Sequence, residues 1–496
     1  MHAQKQAKNF ILQIKSVIQK QSAKLKASEF LCNRKLLITL ILGTAIRLAL
    51  APFTEQRWDM YIWRLNQAFV YQYRINPFWP RQGLEFAWGY PPLWLFTLLL
   101  VYPIYITFCP TCYPQEVSLL WNPYNSAADP QQKMTLFFES YRRFLPPPQG
   151  LVKGLNLPIL DLIIKTPIIL SDILIALLLY RIIKSVSRGE KAAKYAYTTW
   201  LLNPYVIWMS SIWGMFDAIP TLFIVLSTYY LLQNKIYKSA LTLSIATLYK
   251  LYPIILLPIN ALLIIKRERK IKKAVKYFII STGIIILVIF IAYFVFALYF
   301  GQEPISLSVK LTYNLFVKRA SPDWEGKNII AGLTPLIILQ NKLGATNIPV
   351  SPILLSTGLT IMMIKLVRNK EITNDTILSY ITATHFIIYM TYTVVNPQYF
   401  IWVLPLLLIL SARKNTIIKY LHWIISLIPL LTIICGYDLS YHISPYFIAE
   451  YQGIRISSET LASSIALTIF YIASIKLIFL KEKVHAKVGS YDVQVE

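Results

Sequence analysis

The sequence predicts an all-α polytopic membrane protein. It reads as about a dozen transmembrane segments with a re-entrant helical hairpin and an interfacial first external loop. Three observations predict this. The chain has 496 residues and is 56% hydrophobic, with a mean hydropathy of +0.51, more apolar surface than a soluble core of that length buries. Apolar runs long enough to cross a bilayer, about 18 residues or more, recur along it. Its 49 Lys and Arg residues, against 23 Asp and Glu, fall mostly in short clusters between those runs, as the positive-inside rule requires. The net charge of +26 is therefore a topological signal, and nucleic acid is not an expected partner.

The elements follow in order. Residues 1–35 are Lys-rich, without the small-residue cleavage pattern of a signal peptide, and read as a basic cytoplasmic leader. Residues 36–480 read as one transmembrane domain. Its first span runs from Leu36 to Phe53, inside to outside. The first external loop, residues 54–89, holds RWDMYIW (Arg57 to Trp63) and RINPFWP (Arg74 to Pro80), whose Trp and Tyr density suits helices lying in the interface. A second span starts at GYPPLW, where Pro91 and Pro92 fit a first helical turn. Residues 109–156 are polar and Pro-rich and read as loop. Cys109 and Cys112 lie there with no second pair or histidine nearby to complete a zinc site.

The next span, Leu157 to Tyr180, carries Lys165 and Asp172 inside an apolar run, and the basic stretch Arg181 to Lys194 follows as a cytoplasmic segment. Two spans then flank Asp217 and return the chain to Lys235 and Lys238. Residues 238–265 are apolar but bracketed by Lys238 on one side and KRERKIKK (Lys266 to Lys273) on the other. Both ends should be cytoplasmic, so the run enters and returns, with LYKLYP (Leu248 to Pro253) as apex. One long kinked helix with Lys250 snorkelling is the alternative.

Later spans alternate: Tyr277 to Phe300, Pro352 to Leu366, one ending at Thr393, one following NPQYFIW (Asn396 to Trp402), and a last pair around Gly436 to Phe447. The tail, residues 481–496, is basic and cytoplasmic. Parity leaves one crossing unassigned between residues 54 and 194, and the charges are taken as the guide. No second soluble domain, internal repeat or P-loop is present; Gly326 and Lys327 lack the strand and glycines that cradle phosphate.

Candidate chemistry centres on SSIWGMFDAIPTLF (Ser210 to Phe223), where two apolar runs meet and place Asp217 at the lip of the membrane. A carboxylate there is functional by default, or else caps the following helix. Other polar outliers assigned to the external side are Arg57, Asp59, Glu85, Lys250, Asn396 and Gln398. A carboxylate suits deprotonation of a hydroxyl acceptor. A lysine or arginine suits neutralisation of a phosphate leaving group. Trp58, Trp63, Trp79, Trp88 and Trp213 offer faces for sugars. Together these features point to transfer of a sugar from a lipid phosphate.

Four motifs carry a resemblance to a known family. LSDILIALLLYRI (Leu170 to Ile182), WLLNPYVIWMSSIWGMFDA (Trp200 to Ala218), ATLYKLYPIILLPI (Ala246 to Ile259) and NPQYFIW resemble, in order and spacing, the GT-C polyprenyl-phosphate-sugar-dependent glycosyltransferases. The likeness is to the catalytic subunit of GPI mannosyltransferase I and its prokaryotic relatives. It implies a GT-C-like fold that transfers a hexose, mannose above all, from a polyprenyl or dolichyl phosphate to a lipid-linked glycan or glycolipid, with inversion. The family's first loop carries an Asp-x-Asp motif, whereas RWDMY here has Asp59 alone. The expectation is therefore a metal-independent reaction with Asp59 as base, a divalent metal being allowed but not required.

By the same resemblance, Lys250 with Arg57 holds the donor phosphate, and Asp217 orients sugar hydroxyls or Lys250. Asn396, Gln398 and Tyr399 close the donor cavity. Glu85 is a reserve carboxylate, and Asp172 either contacts or supports the substrate or has a helix-packing or charge-pairing role with a lysine. The implied location is the cytoplasmic membrane of a prokaryote or the endoplasmic reticulum of a eukaryote, with both termini cytoplasmic and an accessory membrane subunit allowed. Two competing functions are a non-catalytic subunit of a glycosyltransferase complex and a transporter or flippase. The latter predicts related halves, and residues 36–265 and 276–480 show none.

Overall fold

The computed structural model describes residues 33–71, 74–79, 88–108, 156–187, 189–316, 350–392, 395–413, 416–436 and 460–479. Residues 1–32 of the leader, the tail, Cys109, Cys112 and Glu85 lie outside the described residues. Within them the chain is helical, with no strand. It is an all-α polytopic membrane protein. Among the described residues three helices are long and apolar enough to cross a membrane on their own: Pro158–Ser185, Ile271–Tyr299 and Ser351–Arg368. Shorter apolar helices lie at Pro92–Thr107, Ala218–Leu232, Pro397–Ser411, Ile418–Leu431 and Phe470–Phe479. Ile271–Tyr299 exposes Ile279, Ile286, Leu287, Ile291 and Val295, a face that lipid rather than water would cover.

The Ala218–Leu232 helix fixes two levels in the molecule. At its start, Asp217 meets Lys250. At its end, the carbonyl of Leu231 accepts a 3.1 Å hydrogen bond from Arg267. Lys250 and Arg267 belong to the same polar-ended apolar run, so that run must rise to the Asp217 level and come back. It does so as two helices, Ile236–Tyr249 and Leu256–Glu268, joined by a 3-10 turn at Tyr252–Ile255. The break has a local cause. Lys250 is extended, with φ −151° and ψ 136°, and Pro253 has no N–H to continue the ladder. The returning arm packs on Ile271–Tyr299, where Asn260 donates to the Tyr277 hydroxyl. The expected hairpin is present, with arms a few residues longer than the 238–265 read from sequence.

The turn before Asp217 is equally determined by its residues. Asn203 caps the segment that follows, accepting from the amides of Tyr205 and Val206, and Pro204 takes the first helical position. The chain then widens into a π-helical turn, Trp208–Trp213, closed by Gly214 at φ 82°. A Cβ on Gly214 would stand 2.6 Å from Met60 Sδ and 2.8 Å from Lys165 Cε. Gly214→Ala is thus expected to destabilise the protein by roughly 1–3 kcal/mol through backbone strain alone. Thermal unfolding in detergent checks this; an unmoved midpoint would show that the turn tolerates a side chain.

The Asn156–Ser187 helix passes the Asp217 level at Lys165, which reaches the carbonyls of Ser211 and Ile212. Arg181 lies 16 residues further on, about 24 Å along the axis. The basic stretch is therefore at the Arg267 end, as the charges indicated. The crossing left unassigned between residues 54 and 194 bears on residues 109–155, which lie outside the described residues. The first loop docks beside the far end of Ile271–Tyr299. Asn76 donates to Gln302 at 2.7 Å, and Phe78 packs edge-on against Tyr293 and Phe296. Cysteines placed at Trp79 and Ser306 are expected to react with an impermeant reagent from one face of sealed vesicles, and one at Lys272 from the other. Labelling of all three from one face would overturn this topology.

Candidate functional site at the hairpin apex

Lys250 donates to both carboxylate oxygens of Asp217, at 2.8 and 2.9 Å. Asp217 stands at the start of its helix but its side chain makes no capping bond. The capping alternative is therefore replaced by an ion pair, which Trp402 joins by donating its indole N–H to Asp217. Four rings surround the ammonium: Tyr399 at 4.7 Å, Phe216 and Trp402 at 5.4 Å, and Tyr90 at 5.8 Å. Ring faces carry negative potential, so they stabilise the ammonium where water is scarce. Trp402 is itself held flat between Tyr252, at 3.4 Å, and Tyr399, at 4.4 Å. Its 3-10 turn, Pro397–Trp402, is tied down by Tyr205, which donates to the Pro397 carbonyl, and by Tyr389, which donates to that of Tyr399.

Asp59 comes to the same place from the first loop. It lies in the first turn of the Arg57–Tyr71 helix, where the helix dipole favours a negative charge. The Trp213 indole N–H donates to it at 2.7 Å, and its own amide donates to the Gln56 side chain. Burial pushes the Asp59 carboxyl up to about 6, against the Trp213 hydrogen bond and the nearby Lys250 charge, while Asp217 pushes it further up. The helix is anchored by buried Trp63, whose ring meets Trp88, Trp94 and Phe216 within 6 Å. A half-buried carboxylate, an ammonium paired with a second carboxylate, and several aromatic faces thus converge. That set can accept a proton, stabilise a negative leaving group and hold a sugar.

Of the residues singled out in the sequence, Asp59, Asp217, Lys250 and Tyr399 are brought together. Gln398 is buried in the same 3-10 turn, its side-chain oxygen without a hydrogen-bond partner. Asn396 precedes that turn, half-buried and not capping it. Arg57 opens the helix that carries Asp59; its side chain is not among those described.

Asp172 is elsewhere, and its partner is an arginine rather than a lysine. Arg47 donates to it at 3.0 Å, with both side chains fully buried. Arg47 also donates to the carbonyls of Gly43 and Leu201, so this pair clamps the first helix, Arg34–Leu50, to the Asn156–Ser187 and Glu190–Leu202 helices. A cation hidden in the first apolar run leaves no sequence signal of its destination.

Sequence reasoning missed Glu55, Arg64 and Asp161. Arg64 donates to Glu55 and to Asp161 at 2.7 Å each, locking the Asp59 helix onto the Asn156–Ser187 helix. Asp161 and Lys165, four apart in an apolar run, were the available hint. Tyr90, Phe216 and Trp402 were also missed; nothing distinguishes a ring that faces an ammonium from one that anchors in the interface. Among the described residues no group of three His, Cys, Asp or Glu is placed to hold a metal.

Comparison with known proteins gives two likenesses. Residues 122–322 match the family described as GPI transamidase subunit PIG-U. A 96-residue stretch is 35% identical to GPI mannosyltransferase 1 of Candida albicans (strain SC5314 / ATCC MYA-2876), covering 19% of this chain and 24% of that protein. The chain thus matches about a quarter of the length of that relative. The segment like the transamidase subunit includes Asp172, Asp217 and Lys250 and leaves Asp59 outside it.

Proposed function

We propose that this protein is a membrane hexosyltransferase of GT-C type. It moves a hexose, mannose by preference, from a polyprenyl or dolichyl phosphate to a lipid-linked glycan or glycolipid acceptor of the GPI kind. The single observation that carries this reading is Asp59, a half-buried carboxylate with its proton affinity tuned to about 6, beside the Lys250–Asp217 pair. Near neutral pH it is ionised yet basic enough to take a proton in a transition state.

In the proposed reaction the acceptor hydroxyl loses its proton to Asp59 as its oxygen bonds to the anomeric carbon. The bond from that carbon to the phosphate oxygen breaks on the opposite face. The electron pair leaves with the phosphate, and configuration inverts. Lys250 stabilises the departing phosphate, with Arg57 as a second cation. Lys250 already donates to both oxygens of Asp217, so the phosphate joins that pair or displaces one carboxylate oxygen. Asp217 orients Lys250, and Gln398, Asn396 and Tyr399 border the donor. No metal is needed for these steps. The Asp217 end faces the lumen or periplasm, both termini are cytoplasmic, and a eukaryotic host would place the protein in the endoplasmic reticulum.

One observation favours a second reading. The match of residues 122–322 to a transamidase subunit fits a protein that holds a GPI glycolipid for another subunit and performs no transfer. The two readings part on one experiment: purified protein incubated with a panel of radiolabelled lipid-phosphate sugars and membrane extract. The enzyme reading expects one label to move from its carrier lipid to a glycolipid. Retention of every label on its carrier, with binding of glycolipid intact, favours the subunit reading.

A further inference from the structure

We infer that Lys165 is a positioning residue, the resident cation of a box of backbone carbonyls that fixes the turn carrying Trp213 and Asp217. Its side chain is fully buried. Nζ donates to the carbonyls of Ala51 and Ser211 at 2.9 Å and of Ile212 at 3.4 Å, and to that of Thr54 at close range. Three of these oxygens lie where regular helical bonding ends or widens. Ala51 follows the last residue of the Arg34–Leu50 helix, where the terminal carbonyls have no donor within the helix. Ser211 and Ile212 lie in the wide π turn before Gly214. Four carbonyls converging on one ammonium resemble the way protein carbonyls replace the hydration shell of a small cation.

The charge is balanced nearby, since the Glu55 and Asp161 carboxylates and the Arg64 guanidinium all act on Lys165. Arg64 joins those two acids. Lys165 itself is bonded to main chain, and so it sets backbone position where Arg64 sets helix position.

The consequence reaches the site in two steps. The carbonyl of Trp213 accepts from the Gln56 amide, so residues 51–56 and 211–214 run side by side with the ammonium between them. Trp213 then holds Asp59, and Gly214, whose missing Cβ makes room for the Lys165 stem, leads to Asp217 three residues on. A plain helix-packing lysine would not tie both carboxylates to one cation. The link to catalysis rests on the function proposed above; the link to Asp59 does not.

The test uses the full-length protein in detergent. Lys165→Ala is expected to melt at a lower temperature than wild type and to recover when methylammonium or ethylammonium chloride, but not tetramethylammonium chloride, is added. Lys165→Met, which keeps the apolar stem and fills the space, should show no response to amine. The second readout is the infrared titration of the protonated Asp59 carboxyl, assigned by its loss in Asp59→Asn. Its midpoint is expected to rise by about one pH unit in either Lys165 variant, as the Trp213 hydrogen bond to the charged form weakens. In Lys165→Ala the amine should bring it back.

An Asp59 midpoint unmoved in both variants would overturn the positioning role. Melting of Lys165→Ala that small amines leave unchanged would overturn the carbonyl box. Neither readout requires turnover, so a wild-type protein without transferase activity would remove the proposed function and leave this inference standing.

Discussion

Asp59→Asn is expected to lower hexose transfer by roughly a hundredfold to ten-thousandfold, the usual loss on removing a general base, while making the fold more stable near neutral pH. The two effects have one cause. Burial raises the Asp59 carboxyl from an ordinary value of 3.8 to about 6, so the folded protein binds that proton more tightly than the unfolded chain. Linkage then gives the sign: as pH rises from 3.8 to about 6, the contribution of Asp59 to stability falls, and above that window the full penalty of a buried charge remains. Asparagine has no charge to bury and still accepts from Trp213. The melting temperature of Asp59→Asn should therefore exceed that of wild type at pH 7.5 and converge with it below pH 4.

For wild type, the rate of transfer should climb through about pH 6 and level off above it, because the base acts ionised. Rate measurements from pH 5 to 8, with donor binding followed separately, would check both claims. Full turnover by Asp59→Asn would leave Asp59 as a structural partner of Trp213 with no part in proton transfer.

The parts legible in the sequence were those that violate a local rule. Lys250 stood out because basic clusters bracket its apolar run, and a run with both ends on one side has to double back. Asp217 stood out because a carboxylate interrupts two apolar runs. Asp59 was visible only as one acid among aromatics, and its setting depends on Trp213, 154 residues away.

Groups whose partners lie far along the chain were not legible. Arg64 finds Asp161 across 97 residues, Trp402 finds Asp217 across 185, and Arg47 finds Asp172 across 125. Helical periodicity records which face is apolar, not which distant helix completes a charge. Asp172 shows the effect well. An acid in an apolar span has either a ligand or a partner, and the sequence does not choose between them. The structure chooses Arg47.

The Lys250–Asp217 pair should behave differently from a surface salt bridge, and the difference separates its structural from its functional role. Both side chains are buried, at 8% and 0% exposure. Lys250→Met leaves the Asp217 carboxylate with the Trp402 N–H and no counter-charge; breaking a buried pair in this way typically destabilises by about 3–5 kcal/mol. Replacing both members by apolar groups of similar size removes the uncompensated charge and is often neutral. The double variant Asp217→Leu with Lys250→Met is therefore expected to melt close to wild type, well above either single variant. It should nonetheless fail to bind the lipid-phosphate donor, since no ammonium remains to meet the phosphate.

Lys250→Arg should fall between. Its charge survives, so part of the donor affinity does too, but a planar guanidinium does not fit the box formed by Tyr90, Phe216, Tyr399 and Trp402 as a compact ammonium does. Melting curves for wild type and the four variants, paired with equilibrium binding of a radiolabelled lipid-phosphate sugar, separate the outcomes. Recovered stability without recovered binding assigns the ammonium to the phosphate. Donor binding at wild-type affinity in the double variant would leave Lys250 as a packing residue, and the phosphate would then have to be held elsewhere, with Arg57 the first position to test.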